Sequence, residues 1–294
     1  MRNLRKRTEN VGWFAVFTGP SIIAFALVLV VPFFYGMYLT FTNYNAISTQ
    51  YEFVFLDNYI AVFKDKEFWK QMLLTLRYVF ISSLLCNVFA FALAYLLTSG
   101  IRFQGFFRSG FFIPNLIGGI VLGYIWKFLF ANVFTQIGKA WGIGWLSTSF
   151  LTNTDRAVWA LIVVTIWQYA GYLMMIYVAG IVGIPRDVYE AADIDGATGL
   201  RKMFKITIPL VIPSVVICLF ISISRGFMAY DLNLSLTNGG PYGSTELAAM
   251  HVYQKAFQER QYGIGQAEAI VLFVLVAVVS VAQVLFTKKF EVEA

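Results

Sequence analysis

A chain of 294 residues that is 59% hydrophobic and only 13% charged, with a mean hydropathy of +0.70, lacks the polar surface to cover a water-exposed exterior, which excludes an ordinary soluble domain. Its net charge of +6 reads as loop bias on a membrane protein rather than as a nucleic-acid footprint, so no nucleic-acid partner is expected. Two cysteines, Cys86 and Cys218, each inside an apolar run, and one histidine, His251, leave no disulfide framework and no histidine-based metal site, so no metal is expected.

Uncharged stretches run over 11–51, 78–101, 157–185, 206–224 and 269–287. A helix crossing lipid needs roughly 20 apolar residues. Backbone groups in lipid must be satisfied internally, which leaves helices or closed barrels. Barrel strands would be short and alternating, whereas these runs are long and apolar on every face. The expected fold class is an all-α polytopic membrane protein, one transmembrane domain over 1–294, with six spans at 13–39, 73–98, 107–131, 157–182, 207–236 and 264–286.

The first span follows the basic start "MRNLRKR", and Ala24-Phe25-Ala26 has the look of a cleavage site. The apolar run continues to Met37, beyond the roughly 7–15 residues of a signal core, so an uncleaved span is expected. With the N-terminus inside, Arg2, Arg5, Lys6, Arg7, Arg102, Arg108, Arg186, Arg201, Lys202, Lys205, Lys288 and Lys289 lie on the cytoplasmic side. Lys64, Lys66, Lys70, Lys139, Arg156, Lys255 and Arg260 lie outside. Twelve against seven favours cytoplasmic N- and C-termini.

Polar residues inside spans are costly and are therefore candidates for a solute route. Arg77 in span two and Lys127 in span three sit near outer helix ends, where long side chains snorkel. In span three, Asn115 follows Pro114, where a helix break would free backbone groups. In span four, Gln168 and Tyr172 are four apart, with Trp167 and Tyr169 beside them. In span five, Ser222, Gly226 and Ala229 share a face, with Tyr230 and Asp231 toward its outer end. Aromatic faces suit the C–H surfaces of sugars, and amides or carboxylates suit their hydroxyls. Asn115, Trp167, Gln168, Tyr169, Tyr172, Ser222, Gly226, Tyr230 and Asp231 are accordingly the candidate substrate-binding set. Each could equally serve interhelical packing or hydrogen bonding. Arg225, without a carboxylate three or four positions away, reads either as a solute or gate contact or as a partner to another subunit in a wet cavity.

Charge concentrates between spans four and five. Pro185 suits a helix start, Asp187 and Glu190 suit its first turns, and Gly196 suits its left-handed end. Basic residues then alternate with Met203, Phe204 and Ile206 before Pro209 opens the next span. The result is a helix, a turn and a second helix presented to the cytoplasm, with Ala191 and Ala192 thin enough for close approach to a partner. On composition alone a solvated, merely orienting loop accounts for it equally well. After span five, "TNGGPYGSTE" is a loop signal.

The stretch "EAADIDGATGLRKMFKITIP" resembles the EAA loop of permeases from binding-protein-dependent ABC importers. That pattern is Glu-Ala-Ala, three residues, Gly, nine residues, Ile, one residue and Leu-Pro. Here it is met by Glu190-Ala191-Ala192, Gly196, Ile206 and Ile208-Pro209, with Ile208 in place of Leu. The segments "LTNGGPYGSTELAAMHVYQKAFQERQYGIGQAEA", "FFIPNLIGGIVLGYIWKFLF" and "WQYAGYLMMIYVAGIVGIP" are similar to the carbohydrate branch, the MalF-like and UgpA-like subunits. The resemblance implies a coupling helix within 185–209 that docks on an ATPase. It carries over to Glu190, Ala191, Ala192 and Gly196, with Asp195 beside the glycine counted among them. It implies a homologous second permease, two ATPase subunits, an extracytoplasmic solute-binding protein, a sugar substrate and a surround of membrane lipid, in a bacterial cytoplasmic membrane. Oligosaccharides, disaccharides and glycerol phosphate all fit that branch.

No catalytic constellation accompanies these features. The chain lacks G-x-x-x-x-G-K-[ST] and H-E-x-x-H, and one histidine supports no Ser/His/Asp or Cys/His pairing. No catalytic residue and no cofactor are expected in this chain, with ATP and Mg expected in the partner ATPase. The rival reading is a secondary transporter driven by an ion gradient. It would call for a buried acid–base relay and inverted repeats, and neither is legible in the sequence.

Overall fold

Helices carry the apolar runs in a computed structural model that describes residues 14, 16–46 and 50–290. In chain order they are α1 (Val16–Leu39), α2 (Asp57–Lys64), α3 (Lys66–Thr98), α4 (Gln104–Phe112), α5 (Gly119–Ala140) and α6 (Thr154–Val182). There follow α7 (Arg186–Ile194), α8 (Gly199–Leu210), α9 (Ile212–Phe227), α10 (Asp231–Leu236), α11 (Ala248–Tyr253) and α12 (Tyr262–Lys288). Among the described residues the β-type pairing is an isolated bridge, Thr42 with Phe53. Among the described residues five helices, α1, α3, α5, α6 and α12, are long and apolar enough to cross a membrane, and the pair α8 and α9 makes a sixth if counted as one span.

Two expected spans are broken, each for a local reason. The stretch 107–131 is not one helix. Helix α4 stops at Phe112, a 3-10 turn covers Ile113–Leu116, and Ile117 (φ −84°, ψ 124°) and Gly118 (φ −60°, ψ 142°) are extended before α5 begins. Pro114 has no N–H to continue the ladder, and the extended glycine then restarts it. The stretch 207–236 is interrupted twice. Helices α8 and α9 meet at an angle of 71°, because Pro213 withholds the bond that the carbonyl four residues back would receive. Val211 sits there at φ −94°, ψ 8°. Downstream, α9 ends at Phe227 and α10 starts only at Asp231.

The described residues fall into two compact groups, one within 1–65 and 252–271, the other within 66–251 and 272–294. In the first, Asn58 donates to the carbonyls of Thr40 and Thr42, both at 2.8 Å, and Tyr59 donates to Thr40 Oγ1 at 3.0 Å. Lys255 pairs with Glu259 at 3.0 Å and with Asp65 at 3.7 Å. The apolar faces of α1 stay largely uncovered.

In the second group α3 and α6 form the centre, and small residues set how closely the others approach. A methyl group on Gly171 of α6 would overlap the Phe111 carbonyl, so α4 lies directly on α6 there. Gly119 and Gly123, four apart on α5, lie against Asp231 and Ser235 of α10, and a Cβ on Gly123 would overlap the Ser235 side chain. Close contact through small residues is the usual way membrane helices gain packing without a hydrophobic drive between them. One apolar core gathers Cys86, Ala90, Met174, Tyr177 and Cys218, and another Tyr78, Leu122, Leu161, Phe227 and Leu236.

Candidate functional site

Where α9 gives way to α10, the backbone over 228–230 leaves helical geometry and a cavity of about 160 Å³ opens beside it. Tyr78, Thr165, Gln168, Tyr169, Tyr230 and Asp231 line it, together with Gly119 and the backbone around Met228 and Ala229. Tyr78 and Thr165 share a hydrogen bond of 2.7 Å that ties α3 to α6 on one wall. Gln168 donates from Nε2 to the Ile117 carbonyl at 3.0 Å, holding the break that Pro114 creates. Its Oε1 is buried without a hydrogen-bond partner among the described residues. Ser235 anchors the far wall, donating to the carbonyls of Asp231 at 2.7 Å and Gly119 at 3.2 Å.

Beside the cavity Arg225 is clamped. Its guanidinium lies 4.8 Å from the Tyr169 ring centre and 4.9 Å from that of Tyr172, and donates to Asn115 Oδ1 at 3.0 Å. Two ring faces and one amide fix the charge by cation–π attraction and hydrogen bonding. No carboxylate among the described residues lies within ion-pair distance of it. Tyr169 joins the two features, since it both lines the cavity and carries Arg225.

Gln168, Tyr169, Tyr230 and Asp231 thus meet at the cavity, and Asn115 and Tyr172 meet at the arginine. The other three residues of the expected substrate set lie elsewhere. Trp167 turns away, packs edge-on against Trp126 at 5.4 Å and lines an apolar groove with Phe89, Phe107 and Phe111. Ser222 accepts a hydrogen bond from Asn87 at 2.9 Å, and Asn87 in turn accepts from Tyr177 at 2.8 Å, so this trio ties α3, α6 and α9 together. Gly226 packs against Val79, which would stand 3.1 Å from an added Cβ. Sequence reasoning does not single out Tyr78, Thr165 and Asn87. Their signal is the same as that of the others, a polar group within an apolar run, but it selects them only once the adjacent helices are known.

The charged loop forms the helix and turn expected of it. Pro185 (φ −57°) precedes α7, and Gly196 ends it at φ +71°. The amides of Asp195, Gly196 and Ala197 return to the carbonyls of Ala191, Asp193 and Ala192. Ala192 is buried, while Glu190, Ala191, Asp195 and Gly196 are exposed. Lys202 braces the turn through Asp193 at 2.6 Å and stands over the Tyr189 ring at 5.5 Å. His251 is engaged with Glu246 at 2.9 Å, and Cys86 and Cys218 are buried in the helix core.

A family profile described as binding-protein-dependent transport system inner membrane component matches residues 80–292. The chain is 39% identical over 293 residues to the probable starch degradation products transport system permease protein AmyD of Thermoanaerobacterium thermosulfurigenes, covering 100% of both chains. It is 33% identical over 289 residues to the multiple sugar-binding transport system permease protein MsmF of Streptococcus mutans, covering 98% of this chain and 99% of that one. Its fold matches a chain in the crystal structure of a bacterial ABC transporter involved in import of the acidic polysaccharide alginate. The TM-score is 0.84 at 20% identity, covering 98% of this chain and 99% of the other. A second structure of a bacterial alginate ABC transporter, in complex with a pentasaccharide-bound periplasmic protein, matches with a TM-score of 0.78 at 21% identity over 96% and 94% of the two chains.

Proposed function

This chain belongs to the family of binding-protein-dependent transport system inner membrane components, and from that premise we propose that it is the membrane-spanning permease subunit of an ATP-driven sugar importer. The observation that carries the reading is the polar cavity at the α9–α10 break, with Gln168, Tyr169 and Asp231 around it and Arg225 stacked on Tyr169. Full-length relatives named for starch degradation products and multiple sugars support a carbohydrate cargo. The exposed faces of α7, with Glu190, Ala191, Asp195 and Gly196, are the surface on which an ATPase subunit would dock. Two such subunits, carrying ATP and Mg, a second permease and an extracytoplasmic solute-binding protein complete the importer in this reading. The termini and α7 then face the cytoplasm of a bacterial cell. Closure of the ATPase pair on ATP pushes the docked helices and turns the cavity from outside to inside. This subunit performs no bond chemistry of its own.

The test is uptake of labelled malto-oligosaccharides by proteoliposomes holding the chain with its partner subunits. Uptake is expected to require ATP on the ATPase side and to be indifferent to proton and sodium gradients. Uptake driven by an ion gradient without ATP would replace this reading with that of a secondary transporter.

A further inference from the structure

One face of α3, from Leu84 to Ser99, forms a groove with Met203, Phe204 and Ile208 of α8 and with the start of α9. Its volume is about 770 Å³. The α3 residues recur every three or four positions, so the groove follows that helix along its axis. Between Leu84 and Leu96 the helix rises about 18 Å, close to the roughly 15 Å of hydrocarbon in one leaflet of a bilayer. Leu84, Val88, Leu96 and Phe204 are each at least half exposed. The polar residues of the wall direct their hydrogen bonds inward. Tyr177 donates to Asn87 Oδ1 at 2.8 Å, and Asn87 donates to Ser222 at 2.9 Å and to the Ser83 carbonyl at 2.8 Å. What the groove presents along its length is therefore hydrocarbon. One end is cationic. Arg201 and Lys205 stand two positions either side of Met203 on α8, and Arg102 follows Ser99 by three. All three are exposed and form no ion pair among the described residues, whereas Lys202 between the first two is engaged by Asp193 at 2.6 Å.

We propose that this groove seats one anionic phospholipid of the cytoplasmic leaflet, with its acyl chains along α3 and its phosphate at the Arg201 and Lys205 end. The inference rests on the importer reading, which puts the start of α8 at the cytoplasmic face, and adds a ligand to it. Phosphate oxygens accept N–H bonds from guanidinium and ammonium groups, and such charge-assisted bonds are the stronger kind. The cytoplasmic leaflet is the one that carries anionic headgroups, and basic residues beside a spanning helix attract them. Size separates this occupant from a helix of another subunit. A volume of about 770 Å³ spread over about 18 Å has a cross-section of about 40 Å², whereas a helix with its side chains, about 10–12 Å across, needs roughly twice that or more. Hydrocarbon chains fit the groove and a helix does not.

The experiment reconstitutes the assembled importer in phosphatidylcholine bilayers that contain a trace of a photoreactive lipid, with a diazirine in one acyl chain. The probe is phosphatidylglycerol in one sample and phosphatidylcholine in the other, and the adducts are mapped by mass spectrometry. The phosphatidylglycerol probe is expected to label 84–99 and 203–219 about tenfold or more above the choline probe, the scale for two cations at an anionic headgroup. Arg201→Gln with Lys205→Gln should bring the two probes level, and Arg201→Lys with Lys205→Arg should keep the preference. Ala92→Trp fills the groove from an exposed position and leaves the charges in place, so it should lower labelling by both probes. Equal labelling by the two probes in the wild-type complex, adducts spread evenly over the apolar helices, or a preference that survives the double glutamine variant overturns the inference. A complex in which both probes label other helices but neither reaches these two segments assigns the groove to another subunit and overturns it as well. Photolabelling needs no transport. An importer that takes up no sugar with ATP therefore fails the importer reading in a separate assay, and the adduct map still decides the lipid site.

Discussion

The Arg225 guanidinium donates to Asn115 Oδ1 at 3.0 Å across a separation of 110 positions. The bond joins the broken segment before α5 to the last turn of α9, and it leaves the charge aimed along the faces of Tyr169 and Tyr172. Asn115→Ala removes the acceptor and frees the guanidinium. The expected result is a several-fold rise in KM for sugar uptake and a loss of about 1–3 kcal/mol in stability of the complex, the range for a bond to a charged group. Uptake kinetics and thermal unfolding read the two effects. An unchanged KM would show that the clamp plays no part in presenting the arginine to solute.

Gly171 has no room for a side chain, because the Phe111 carbonyl occupies the position a Cβ would take. A backbone atom cannot swing aside as a side-chain tip can. Gly171→Val should separate α4 from α6 and destabilise the fold by about 1–3 kcal/mol, as overpacking does. Gly144→Ala, where nothing stands within 4 Å, should leave the melting temperature unchanged. Equal melting temperatures for the two variants would contradict the close approach.

Gly196 poses the opposite case. Nothing lies within 4 Å of an added Cβ, yet its φ is +71°. The cost of Gly196→Val is therefore conformational, at least about 1–2 kcal/mol for a left-handed residue, and falls on the turn that ends α7. Membrane insertion should persist while co-purification of the ATPase and ATP-dependent uptake fall together. Gly196→Asn, which tolerates that region, should restore both. Wild-type ATPase association in the valine variant would end the docking role of the loop.

Gln168 and Tyr172 stand one at the cavity and one at the arginine, whereas Trp167, next to Gln168 in sequence, faces an apolar groove. Replacing both Gln168 and Tyr172 by alanine should lower uptake at limiting sugar by about tenfold or more, the loss of one or more polar contacts, with assembly retained on size-exclusion chromatography. Trp167→Ala should act instead on stability. Loss of sugar affinity in the tryptophan variant alone would reverse the assignment of faces.

Much of the fold is legible in the sequence. Runs such as 157–185 and 269–287 carry no charge over a membrane's width, and the helices α6 and α12 follow from that alone. Pro185 and Gly196 bracket α7 as their backbone preferences demand. The breaks are harder to read, because a single proline or glycine in an apolar run is compatible with a kink, a restart or a continuous helix. Pro114 points to a break, yet the run around it still reads as one span, 107–131. The second interruption of the 207–236 run, at 228–230, has neither glycine nor proline to mark it. It is held by the packing of α10 on Gly119 and Gly123.

The sequence by itself determined that this is a helical membrane protein with a charged loop between its fourth and fifth apolar segments, and it displayed the resemblance that names the family. Those properties are local: chain solvation, backbone preference and spacing decide them. Only the tertiary structure decided which polar residues converge. Helical faces of Gln168 and Trp167 differ by one residue step, yet one meets the Ile117 carbonyl and the other the Trp126 ring. Arg225 meets Asn115, Tyr169 and Tyr172, which come from two other segments of the chain. Convergence is a property of how α5, α6, α9 and α10 pack, and packing depends on small residues and helix breaks acting together across the chain, which no window along the sequence contains.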